Sequence, residues 1–76
     1  LLQQIVNIKI TKNEALVLFD FLSRLNQNDN IDFFEDKAEK ILLWNIEAEL
    51  EKELEDIFDS NYKLILEKAR REIHNK

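Results

Sequence analysis

Glycine, proline, cysteine and methionine are all absent from this 76-residue chain. Without cysteine there is no disulfide, no thiolate metal ligand, no thiol nucleophile and no redox pair. Average usage would supply about five glycines and four prolines. Phosphate cradles and hinges that need a positive φ therefore lose their usual residue. Asparagine, the next best residue for a left-handed turn, is abundant. Long apolar runs are missing as well. The longest, Ala15–Phe19 and Ile41–Trp44, fall far short of the roughly 20 residues of a membrane span. Leu1-Leu2 runs into Gln3-Gln4 with no signal-peptide pattern, so a cytoplasmic protein is expected and residues 1–4 are a tail without assigned structure. Lysine outnumbers arginine eight to three, and isoleucine and asparagine are frequent, which reads as an AT-rich coding bias rather than a functional choice.

What is present is a globular composition, 45% hydrophobic. A 9.1 kDa chain buries roughly 60% of its surface on folding, enough for one marginal core. One small domain is expected, over residues 5–74. With no staples, it depends on well-packed helices or on a partner.

The pattern predicts a mainly α fold: a short N-terminal strand followed by three helices, the second long and central. Val6, Ile8 and Ile10 alternate with Asn7 and Lys9, the period-2 pattern of a half-buried strand over Ile5–Ile10. Its partner is either the short segment Ile31-Asp32-Phe33 or the same strand of a second copy. Thr11-Lys12-Asn13-Glu14 has the form of a capping box. It opens a first helix over residues 12–27 with an apolar stripe of Ala15, Leu18, Phe19, Leu22 and Leu25, widened by Leu16, Val17 and Phe21. Asn26 to Asn30 then forms a polar turn with asparagine in the left-handed position. The second helix spans residues 34–57, with Asp32 as a cap. Phe34, Ala38, Ile41, Trp44 and Ala48 share one side, and Leu43, Ile46, Leu50, Leu54 and Ile57 share nearly the opposite one. A central helix follows, with the first helix on one side and the third, or a second protomer, on the other. Phe58-Asp59-Ser60-Asn61 breaks the pattern, with Asp59 or Ser60 capping a third helix over residues 61–73. Its stripe is Tyr62, Ile65, Leu66, Ala69 and Ile73. Glu67–Arg71 and Lys68–Glu72 are i,i+4 pairs.

Charge is the most informative feature. Residues 47–59 hold seven acids (Glu47, Glu49, Glu51, Glu53, Glu55, Asp56, Asp59) and one base, whereas residues 60–76 hold two acids and five bases. One reading is a docking face for a basic partner. The other is intramolecular: an antiparallel hairpin of the second and third helices places Glu47 near Arg71, Glu49 near Arg70, Glu51 near Lys68 and Glu55 near Lys63. The basic end could touch phosphate, but a sequence pI near 4.8 is opposite to the footprint of a nucleic-acid-binding chain.

Catalytic and metal-binding constellations are lacking. His74, the sole histidine, has no ligand or acid spaced to serve it. Ser23 and Ser60 have no base beside them, so Ser60 reads as a cap. Glu47, Glu51 and Glu55 read as a solvated face rather than oxygen ligands. No cofactor is expected. Trp44 is either core packing or an interface anchor, since tryptophan is enriched at binding hot spots. Adjacent Phe33 and Phe34 imply that one faces away from the core.

Residues 14–19 (EALVLF), 34–39 (FEDKAE), Leu43-Trp44, Leu50-Glu51-Lys52, Phe58, Tyr62 and Ala69-Arg70 resemble a family of small uncharacterised bacterial proteins over residues 6–73. The family pattern has a proline between the positions of Phe58 and Tyr62, where this chain has Asp59-Ser60-Asn61. The resemblance implies a self-contained bacterial domain and no particular chemistry.

The expected function is a non-catalytic protein–protein interaction module of the antitoxin, immunity or inhibitor kind. It would dock a basic partner through Glu47, Glu49, Glu51, Glu53, Glu55, Asp56 and Trp44. The alternative is a self-associating structural or regulatory subunit, a homodimer with Ile5, Val6, Ile8 and Ile10 at the contact.

Overall fold

The computed structural model describes residues 3–28 and 32–75. The fold is mainly α, with three helices: α1 (Lys12–Asn26), α2 (Lys37–Glu53) and α3 (Tyr62–His74), and a 3-10 turn, Glu55–Phe58, between the last two. The part of the expected linker turn at residues 29–31 lies outside the described residues, and with it the pairing proposed for Ile31.

α1 begins where its cap is strongest. Thr11 Oγ1 accepts from the Glu14 amide at 3.1 Å, and Glu14 Oε1 accepts from the Thr11 amide at 2.8 Å. Both orphan donors of the first turn are thereby satisfied. The helix ends at Gln27 in the right-handed region, and no described residue has a positive φ. The left-handed asparagine turn is thus not found among the described residues.

α2 is shorter than its periodicity suggests. Its N-cap is Asp36, not Asp32: the Asp36 carboxylate accepts from the Ala38 amide at 2.7 Å. Glu39, three residues on, accepts from the Glu35 amide. At the other end Leu54 turns to extended backbone and its side chain is buried, so the helix stops at Glu53 and the apolar stripe continues into the 3-10 turn. α3 follows its expected span, but Asn61 at its N-cap makes no side-chain cap bond. Asp59 Oδ1 instead accepts from the Asn61 amide at 2.7 Å. The pairs Glu67–Arg71 and Lys68–Glu72 do not close, and Glu72 accepts from Asn13 of α1.

The central helix is α1, not α2. It packs against both other helices, and no Cα of α2 comes within 8 Å of one in α3. Asn26 reaches Leu43 and Glu47, and Lys12 reaches Asp56 beyond the end of α2. Asn13 meets Glu72, and Asp20 meets Arg70. Both partners therefore run antiparallel to α1 and parallel to each other. The reason is local: the extended break at Leu54 and the 3-10 turn carry the chain back along α1, so that α3 starts beside Asp20 and Arg24, which a tight α2–α3 hairpin would forbid. The core contains Ala15, Leu16, Leu54, Leu66 and Ala69, with Leu16 only 1% exposed. Ala15 and Ala69 are small enough to let α1 and α3 approach closely.

The strand expected over Ile5–Ile10 is not formed. No described residue pairs with its backbone, and Ile5, Val6 and Ile8 are each more than 80% exposed. A single extended segment has no ladder to join, whatever its side-chain pattern.

Removing the Thr11 hydroxyl takes away one half of the capping box. Thr11→Ala is expected to lower stability by about 0.5–2 kcal/mol. A shift of the urea midpoint at constant slope is the check.

Candidate interaction surfaces

The two sides of α2 have different fates. Leu43, Ile46 and Leu50 are half-buried toward α1. The opposite stripe, Ala38, Ile41, Trp44 and Ala48, is exposed, because α3 does not cover it. Trp44 is therefore not a core residue: half its surface is free, and the Lys40 ammonium stands 5.6 Å from its ring centre. Phe33 is largely exposed and stacks on half-buried Phe34 at 4.8 Å. Leu42 of α2, Phe21 of α1, Leu64 of α3 and Phe58 of the 3-10 turn add to the uncovered apolar area.

This excess has a magnitude. The accessible surface is 6800 Å². Area scaling gives a folded monomer of 9.1 kDa about 4,900 Å². The radius of gyration is 14.2 Å, against roughly 11 Å for a compact domain of this length. About 1,900 Å² more than usual is left open, and the exposed extended segment at residues 3–11 contributes to it along with the uncovered helix faces.

The seven acids do not make one face. Successive odd-numbered glutamates lie 200° apart on a helix, so they straddle it. Glu47 and Glu51 sit on one flank, Glu49 and Glu53 on the other. Glu47 is half-buried and accepts from Asn26 Nδ2 at 2.6 Å, which commits it to the α1–α2 contact. Glu55 and Asp56 belong to the 3-10 turn, and Asp56 pairs with Lys12 at 2.9 Å. Glu49 meets only its own-helix neighbour Lys52, at 3.5 Å. None of the four acid–base pairs expected with α3 forms, because the hairpin they require is absent. Arg70 goes instead to Asp20.

A shallow groove runs along the Glu49 flank. Ile46 and Leu50 form its floor, and Asn45, Glu49 and Glu53 form its rim. In the sequence Ile46 and Leu50 belong to an apolar side of the second helix that either another helix or a second protomer would cover. Their angle at the edge of the apolar face, between core and acids, was the available signal.

On the other side of the molecule, Asp20 joins α1 to α3. Its Oδ2 accepts from Arg24 Nε at 3.0 Å and from Arg70 Nη2 at 2.9 Å. Asp20 went unnoticed in the sequence because its second partner lies 50 residues away. Tyr62 lines the same cleft. Burial raises its pKa above the ordinary 10.0, and the Asp20 charge adds to this while Arg70 opposes it. Lys12 is also raised from 10.5, chiefly by its hydrogen bond to Asp56.

Among the described residues no group of three or more His, Asp or Glu is placed to hold a metal ion. His74 lies near the end of α3, beside Val17, Arg70 and Ile73. Ser23 is half-buried within α1 and Ser60 lies exposed in the turn before α3. No helix is long and apolar enough to cross a membrane. No protein-family model, curated protein or solved structure matches the chain.

Two outcomes follow for the Asp20 side. Asp20→Ala strands Arg70 and is expected to cost about 1 kcal/mol, as a partly exposed charge network does, measured by urea unfolding. Raised pKa values at Tyr62 and Lys12 mean that the folded state holds these protons longer than the unfolded state. Their contribution is complete below pH 10 and is lost as pH rises through the folded values. Because Tyr62 is the sole tyrosine, its phenolate absorbance should titrate higher in the native chain than in urea, and Tyr62→Phe should reduce the alkaline loss of stability.

Proposed function

We propose that the chain is a non-catalytic protein–protein interaction module of the bacterial or phage cytoplasm, of the antitoxin, immunity or inhibitor kind. The observation that carries this is the uncovered apolar side of α2, where Ile41, Leu42 and Trp44 are each about half exposed. The favoured docking site is the α2 groove, with Ile46 and Leu50 as its floor and Glu49 and Glu53 as its rim. An apolar floor with acids on the rim suits an amphipathic basic segment of a partner protein. Its hydrophobic side gains burial, and its lysines and arginines meet the carboxylates. α3 supplies no cation to Glu49 or Glu53, so these charges are available for steering.

The exposed segment Ile5–Ile10 and the outer stripe of α2 favour a second reading, in which the main partner is another copy of this chain.

The first reading is tested with the immobilised chain and a lysate of the native host. A basic protein released by salt is expected. Its association rate at low salt should fall about tenfold or more for Glu49→Gln with Glu53→Gln, since steering follows the summed field. Glu51→Gln, on the other flank, should change it much less. In about 1 M salt, where the Debye length is near 3 Å, the variants should converge on wild type. Equal low-salt rates for wild type and the double variant would remove the groove from the interface.

A further inference from the structure

We infer that the segment Ile5–Ile10 pairs antiparallel with the same segment of a second copy, forming a two-stranded ribbon whose apolar side rests on the exposed apolar positions of the helices. This deepens the self-association reading by naming the contact and its register.

The backbone of the segment is extended and unpaired among the described residues, while its side chains alternate as a half-buried strand requires. Long apolar strands left open are templates for another strand. Among the described residues no other extended segment has the matching alternation, so the natural complement is the same segment from a second copy.

A two-fold axis restricts the register. Facing residue numbers must sum to a constant, and only an even constant keeps Val6, Ile8 and Ile10 on one side of the ribbon. A constant of 18 would set Lys9 against Lys9, a like-charge pair. A constant of 14 would leave Ile10 facing Gln4. With 16, Ile8 faces Ile8, Val6 faces Ile10, and Asn7 faces Lys9, so every apolar residue of the even side meets an apolar one. A two-stranded ribbon alone is marginal in water. The uncovered leucines, phenylalanines and Trp44 of the helices supply the apolar surface it needs.

The area agrees with a permanent pair. Obligate homodimers bury about 2,000–5,000 Å² in total, or roughly 1,000–2,500 Å² from each chain. The open surface, about 1,900 Å² above the usual for this mass, is large enough to supply such an area from each chain.

Sedimentation equilibrium of the 76-residue chain, from about 1 to 100 μM, should give twice 9.1 kDa. Ile8→Lys should raise the dimer dissociation constant about 100-fold or more with helicity unchanged, because Ile8 is 81% exposed in the protomer. As the chain has no cysteine, Ile8→Cys should oxidise to a disulfide-linked dimer much faster than Asn7→Cys. A monomer at the highest concentration overturns both the ribbon and self-association, leaving the basic-partner reading to its own test. A dimer untouched by Ile8→Lys but broken by Trp44→Glu overturns the ribbon while keeping self-association.

Discussion

Leu16 of α1, closed in by Leu54, Leu66 and Ala69, is the contact on which the rest of the molecule hangs. α1 is the one element touched by both other helices, so its burial organises a fold in which α2 and α3 never meet. Close approach at Ala15 and Ala69 brings α3 down onto α1 and sets the distance at which Asp20 can bridge Arg24 and Arg70. Leu54, on extended backbone after α2, fills the remaining gap and thereby ends the helix. One small apolar cluster thus decides helix lengths, helix order and the place of the Asp20–Arg70 bridge between α1 and α3.

A consequence of that arrangement is electrostatic. With α2 and α3 on separate sides of α1, the acids of residues 47–59 and the bases of residues 60–76 cannot neutralise each other across a shared seam. What pairing exists is with α1 or within one helix: Asn26 with Glu47, Lys12 with Asp56, Lys52 with Glu49. The molecule is left with charge separated over its surface, a pattern that orients an approaching charged partner more than it stabilises the fold.

Local features were legible in the sequence and long-range ones were not. The Thr11–Glu14 capping box, the span of α3 and the two-sided apolar pattern of α2 follow from spacing alone, because each involves residues a few positions apart. The position of α2 did not, because two apolar faces say that two things should cover a helix and not that the second is present in the same chain. Asp36 displaced Asp32 as the cap of α2, a choice between equivalent residues that propensity does not resolve. The alternating segment Ile5–Ile10 is extended as its pattern suggests but finds no partner strand among the described residues of its own chain, since pairing depends on a second strand that local spacing does not supply. Of the residues proposed for docking, Glu49 and Glu53 are exposed, Trp44 proves half exposed rather than core, and Glu47 and Asp56 are spent on internal contacts that only the packing of α1 creates.

With no glycine in the chain and no described residue at positive φ, the backbone visits only regions that ordinary residues share. No described position demands a particular amino acid for conformational reasons. The fold itself rests on a few packed side chains and two helix caps, so most exposed positions can change without disturbing it. Substitutions at those positions therefore change the chemistry of the surface without first requiring repair of the scaffold.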